Sequence, residues 1–198
     1  GTLDLAALKK LIDWHVESGT AAIVIVGTTG ESPTVDVDEH AALIKTTVDH
    51  AAGRIKVIAG TGANSTKEAV SLTAYAKSVG ADASLSVVPY YNKPTQQGLF
   101  NHFAAIAQAS NLPMIIYNIP GRTSRNIEPQ TIAIRRKPRH RPPIRNSTGH
   151  AGAALAIRTH APPRGRVFVG EQRRVGRTAS AEQVLAQRHD AIAVRRPE

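Results

Sequence analysis

Four short clusters carry the polar groups that could do chemistry in this chain. They are Thr28, Thr29 and Glu31 in "GTTGES", Thr61 and Asn64 in "GTGANS", the adjacent Tyr90 and Tyr91 in "PYYN", and Tyr117, Asn118 and Arg122 in "YNIPGRT". Hydroxyls and phenols pass a proton along without carrying charge at neutral pH. The planar guanidinium of Arg122 matches a carboxylate bidentately. The sequence has no His/carboxylate cluster with metal-ligand spacing, no G-x-S-x-G and no phosphate-cradling Walker loop. The set is a coherent one for a site that holds a carboxylate, and a metal, a Ser-His-Asp triad and a nucleotide are disfavoured. Each cluster alone also has a plain structural reading: a helix-start loop, a packed aromatic turn, a solvated arginine.

The clusters gain meaning from the elements that precede them. Four apolar, β-branched runs end beside them: "AAIVIVG" (21–27), "IKVIAG" (55–60), "ASLSVVP" (83–89) and "PMIIYN" (113–118). Runs apolar nearly throughout read as strands of a parallel sheet covered by helices. Between them lie helix patterns. The first, 4–18, carries Leu5, Leu8, Ile12 and Val16 on one face, with Gly19 as its stop. Asp36 with Glu39, and Ser65 with Glu68, have capping-box spacing at the next two helix starts. A further helix is expected over 96–110. The strand ends fall 33, 29 and 29 residues apart. A repeat of that length predicts α/β, either a (β/α)8 barrel or a doubly wound sheet. Neither "GTTGES" nor "GTGANS" fits the dinucleotide-binding G-x-G-x-x-G, so the barrel is preferred. In a barrel the polar clusters would share the C-terminal face where active sites lie.

The 198 residues suffice for one sizeable core. The net charge of +10 is unevenly held. Residues 1–133 have 10 Lys+Arg against 11 Asp+Glu; residues 134–198 have 15, of which 14 are Arg, against 4. The second segment also holds 6 of the 12 prolines. This divides the chain into well-patterned units over 1–133 and a degraded continuation of the same domain over 134–198. No apolar run is long enough for a membrane span and no secretory signal opens the chain. With no cysteines, a cytoplasmic location is expected.

In order and spacing, "GTTGES", "VIAGTGANST", "PYYNKP" and "YNIPGRT" resemble the dihydrodipicolinate synthase family, pyruvate-dependent Schiff-base aldolases on a (β/α)8 barrel. The match runs over residues 1–133. N-acetylneuraminate lyase is similar in fold and in its G-x-T-G-E-type loop, but "YYNKP" and "IAGTGAN" favour the synthase. The resemblance implies condensation of pyruvate with aspartate semialdehyde on the route to diaminopimelate and lysine, with no cofactor. It implies a proton relay of Thr28, Tyr117 and Tyr91, Tyr91 reaching in from a neighbouring subunit. It implies Thr29 on the pyruvate carboxylate and Arg122 on that of the semialdehyde. It implies a homo-oligomer, a dimer of dimers. Ser32, His40, Asn64, Glu68 and Tyr90 match the family's lysine-inhibitor site, whereas Val37 stands where some sensitive members have histidine. His40 also reads as an ordinary helix-surface histidine.

The chain departs from the family at "IRNSTGH" (144–150). Arg145, 23 residues after Arg122, occupies the place of the imine-forming lysine on the family's sixth strand. A guanidinium is not deprotonated in proteins and cannot form the imine, so the literal chain is expected to be impaired. "RVFVGEQ" (166–172) resembles the family's seventh strand. The first strand, the eighth and the C-terminal helices are expected to be missing, leaving two exposed sheet edges. Three accounts fit the arginine- and proline-rich segment. It reads best as text from shifted frames of a GC-rich gene, or as faulty sequence, with islands of correct frame. It also fits a diverged, catalytically dead paralogue, or a basic tail for nucleic acid, a partner disfavoured by the lack of interleaved aromatics.

Overall fold

The computed structural model describes residues 2–133 in full and, beyond them, the backbone of short strands at 157–158, 166–171 and 191–192. Helix α1 (Leu5–Glu17) leads into strand β1 (Ala22–Ile25). Then α2 (Val37–Ala51), β2 (Lys56–Gly60), α3 (Thr66–Ser78), β3 (Ala83–Val87), α4 (Gln96–Ser110) and β4 (Met114–Asn118) alternate. Two short helices follow, α5 (Pro120–Thr123) and α6 (Pro129–Ala133), and then β5 (Ile157–Arg158), β6 (Arg166–Glu171) and β7 (Ala191–Ile192).

Strands β1 to β4 pair in parallel and in chain order, with Ile25 opposite Ala59, Gly60 opposite Leu85 and Val87 opposite Tyr117. This is the consecutive βα arrangement of a (β/α)8 barrel, part of which the described residues supply. Parallel pairing places all four C-terminal strand ends, and hence all four polar clusters, on one side. In β1 and β4 alternate residues, Ile23 and Ile25, then Met114 and Ile116, are buried beneath the helices. Their neighbours Ala22 and Val24, Ile115 and Tyr117, form the other, half-buried face. Two apolar clusters result. One joins Leu8 and Ile12 of α1 and Leu43 and Ile44 of α2 to β1 and β2. The other joins Leu99, Phe103 and Ile106 of α4 to Met114, Ile116, Ile127 and Ile132.

The helices start largely where side chains can cap them. Asp4 Oδ1 accepts from Ala7 N at 3.0 Å, Ser65 Oγ from Glu68 N at 3.4 Å and Thr95 Oγ1 from Gly98 N at 3.1 Å. Asp36 holds the N-cap position of α2 but its side chain makes no capping bond, so the Asp36 half of the expected box with Glu39 is missing. Leu5, expected on the apolar face of α1, is exposed in the first turn. His15 takes a buried place instead, its Nδ1 3.0 Å from Thr20 Oγ1. Gly19 stops the helix at φ +71°, a conformation that glycine adopts without strain.

Among the described residues the sheet is open, ending in β5 on one side and β7 on the other. β6 pairs in parallel with β4, and β7 in parallel with β1. β4 thus lies between β3 and Arg166–Glu171, and the segment around Arg145 lies outside the described residues. A β-branched run such as "VFV" suits a ladder. β5 runs antiparallel to β6, a departure from the all-parallel barrel. The seven residues between these two strands are too few for a parallel crossover. Among the described residues no helix is long and apolar enough to cross a membrane.

Candidate active site

The side chains at the strand ends surround a cavity of about 390 Å³. Thr28, Tyr117 and Arg122 line it, as do Ser32, His40, Asn64, Glu68 and Tyr90. Two of the three residues assigned to the proton relay, Thr28 and Tyr117, thus share one space with those matched to an inhibitor site. Thr28 and Arg122 are exposed and Tyr117 is half-buried, as groups that must meet a ligand from solvent should be.

At the end of β1 the chain turns sharply. Val26, fully buried, has φ +54°, an outlier for a β-branched residue. Gly27 is extended, Thr28–Gly30 form one turn of 3-10 helix, and Glu31 is again left-handed at φ +53°. Gly30 N donates to Gly27 O at 3.0 Å and Glu31 N to Thr28 O at 3.1 Å. The turn lies tight against β2: a Cβ on Gly60 would overlap the Val26 carbonyl. The same intimacy recurs one strand on, where a Cβ on Gly62 would overlap Val87 N. Both glycines of "GTG" are therefore close-approach positions, which that spacing alone could have signalled. The strain at Val26 sets Thr28 on the cavity wall.

His40 is not the surface residue that its helix position allows. It is buried, and its Nε2–H donates to Gly60 O at 2.6 Å, locking the start of α2 to the end of β2. Burial holds its pKa below the ordinary histidine value, opposed by the Gly60 carbonyl and the charge of Glu68. Asn64 Oδ1 accepts from Tyr90 N at 2.8 Å and so fixes the turn that presents the two tyrosines.

Several expected residues lie elsewhere. Thr29 is exposed and off the cavity wall. Tyr91 is 87% exposed and also off it, so within one copy of the chain it adds nothing to the site. Thr61 is buried behind the mouth, its hydroxyl 2.8 Å from that of Thr73. Asn118 is buried and structural: its Nδ2 donates to Asn126 Oδ1 at 2.7 Å and its Oδ1 accepts from Ile127 N at 3.2 Å. Glu31 is an exposed turn residue. Arg145 lies outside the described residues. The apolar part of the wall, including Val26, Leu85 and Val87, carries no polar signal and was legible only as strand. Among the described residues no group of three or more His, Asp or Glu could hold a metal.

Comparison with known proteins gives a consistent picture. A profile of the dihydrodipicolinate synthetase family matches residues 1–181. The 4-hydroxy-tetrahydrodipicolinate synthase of Nitrosospira multiformis is 54% identical over 171 residues, 86% of this chain and 57% of that protein. That of Thiobacillus denitrificans is 67% identical over 123 residues, 62% of this chain and 42% of that protein. Among solved structures, the dihydrodipicolinate synthase of Aquifex aeolicus superposes with a TM-score of 0.66 at 60% identity, over 66% of this chain and 45% of that one. The Acinetobacter baumannii enzyme, solved with pyruvate, gives 0.66 at 54% identity, over 68% and 46%. The chain spans about half the length of the curated relatives it matches.

Proposed function

The chain belongs to the dihydrodipicolinate synthetase family, and on that premise we propose that its site is built for the 4-hydroxy-tetrahydrodipicolinate synthase reaction, the condensation of pyruvate with aspartate semialdehyde. The observation that carries this is the single cavity at the C-terminal strand ends onto which Thr28, Tyr117 and Arg122 converge. Arg122, exposed at the rim, receives the semialdehyde carboxylate. Thr28 and Tyr117 move protons without charge at neutral pH. Thr29, matched by the family resemblance to the pyruvate carboxylate, lies beside Thr28 but off the cavity wall within one copy of the chain. Tyr91, projecting into solvent, completes the relay in a second copy of the chain within a homo-oligomer.

The reaction needs an amine. A lysine nitrogen bonds to the keto carbon of pyruvate, and the keto oxygen leaves as water. The protonated imine then accepts the electron pair released when the methyl group loses a proton, and the resulting carbon attacks the aldehyde. Arg145 stands at that lysine's place in the sequence, and a guanidinium cannot take the first step. The chain as written is therefore impaired at imine formation while Arg122 stays at the cavity rim. Ser32, His40, Asn64, Glu68 and Tyr90 form the part of the same cavity suited to free lysine as an inhibitor, Glu68 offering the charge for an ammonium group.

Borohydride trapping with pyruvate, read by intact mass, tests both statements. The unaltered chain should gain no pyruvyl adduct and Arg145→Lys should gain one. An adduct on the unaltered chain removes the impaired reading; no adduct on Arg145→Lys removes the assignment of that position.

A further inference from the structure

Arg122 must hold its guanidinium at a fixed place on the rim, yet the chain around it has little secondary structure. It sits in the single turn α5, which ends at Ser124 in the left-handed region, φ +51°. Residues 125–128 then run without helix or strand to α6. An irregular stretch can satisfy its backbone groups with water or with side chains, and only the second choice gives it one geometry.

Here side chains do it. Arg125 N donates to Thr123 Oγ1 at 3.3 Å, Ile127 N to Asn118 Oδ1 at 3.2 Å and Glu128 N to Gln96 Oε1 at 3.1 Å. Gln96 does most. Its Oε1 also accepts from Thr131 Oγ1 at 2.6 Å, and its Nε2 donates to Asn126 O at 2.8 Å. One amide thus grips three points between 126 and 131 from the first residue of α4. Ile127 and Ile132 are sunk in the core against α4, so the grip has a rigid base.

We propose that Gln96 is a positioning residue for Arg122: it fixes residues 126–131, which follow α5, so that the guanidinium stands ready for a substrate carboxylate. The inference rests on the reading of Arg122 as a carboxylate ligand. Gln96 touches no substrate and acts only through the stretch it holds. Glutamate at 96 would keep both accepting bonds and lose the one to the Asn126 carbonyl; leucine would lose all three.

The test measures binding of succinate, an unreactive four-carbon dicarboxylate, to the full chain by calorimetry. Arg122→Ala should weaken binding about tenfold, the loss of one charge-assisted pair. Gln96→Leu should weaken it about fivefold and Gln96→Glu about twofold, because a small misplacement of a binding group is costly. Gln97→Leu, the adjacent exposed position on α4, should leave it unchanged. In the Arg122→Ala background, Gln96→Leu should have no further effect, since its action runs through the missing group. A general loosening of the fold would still weaken binding there, and that result overturns the inference. So does unchanged affinity in Gln96→Leu and Gln96→Glu while Arg122→Ala is impaired, which leaves the carboxylate role of Arg122 standing. No succinate binding by the unaltered chain, or binding indifferent to Arg122→Ala, overturns the role of Arg122 and the inference with it.

Discussion

The loops after β1 and β4 both bring a candidate functional side chain to the same cavity, yet different physics holds them. After β1, Thr28 is set by the backbone: a left-handed valine, a 3-10 turn and a carbonyl pressed onto Gly60. After β4, Arg122 is set by side-chain amides that satisfy the N–H groups of an irregular stretch. The first arrangement leaves no room for a Cβ. The second leaves room but requires specific donors and acceptors. Strand ends of one sheet can therefore be equally well placed and be vulnerable to opposite kinds of change, volume at one and polarity at the other.

Substitutions can break that contrast. Gly60→Ala adds only a methyl group, but it meets backbone and not a flexible side chain. We expect a loss of about 3 kcal/mol in urea unfolding, the upper range for overpacking. The same change at Gly121, where an added Cβ meets nothing, should cost under about 1 kcal/mol. A large effect at Gly121 would end the distinction. At the other loop the dangerous change keeps volume and removes polarity. Asn118→Leu leaves Ile127 N unsatisfied in a buried place and should cost about 2 kcal/mol. If it proves neutral, the amides do not hold the loop.

Acid sharpens the contrast further. His102 joins α4 to the start of α3, its Nδ1 2.8 Å from Thr66 Oγ1, and burial pushes its pKa down to about 4. Its Nε2 is buried without a hydrogen-bond partner, so it is suited to stay neutral. The folded state thus binds this proton less readily than the unfolded chain, whose histidine titrates near 6.5. The stabilisation is complete above about pH 6.5 and is lost as pH falls toward 4, roughly 1–2 kcal/mol once partial solvent screening is allowed for. His40 shifts in the same direction. Unfolding midpoints between pH 7 and 4 for the unaltered chain and His102→Gln should converge as the acid term disappears from the variant. Parallel pH curves would exclude His102 as the source. The smallest effect belongs to Arg122→Ala: an exposed side chain should change stability by under about 0.5 kcal/mol while succinate binding falls.

Much of this was readable in the order of residues. The apolar runs ending at 27, 60, 89 and 118 overlap β1 to β4, and the periodic stretches between them are the helices. Strands buried on one face and crowded on the other admit little but apolar, β-branched residues, so their pattern survives in a single sequence. Side-chain roles were less legible. Thr61 and Asn118 look as reactive as Thr28 in the sequence, yet their hydroxyl and amide are spent on Thr73 and on Asn126 and Ile127. His40 looked equally suited to surface or site, and only the Gly60 carbonyl 20 residues away decides. Gln96 carried no signal at all, because its partners lie 30 to 35 residues further on.

The residues by themselves determined the repeating α/β plan, the polar ends of the strands, the break in composition near residue 134 and the arginine at 145. Each of these is a matter of type and spacing along the chain, and local pattern carries it. The tertiary structure alone decided that Thr28, Tyr117 and Arg122 share a cavity, that β6 pairs with β4, and that two glycines and two amides hold the loops. Those are contacts between distant parts of the chain, set by which surfaces pack and which buried polar groups find partners, and sequence order does not record them.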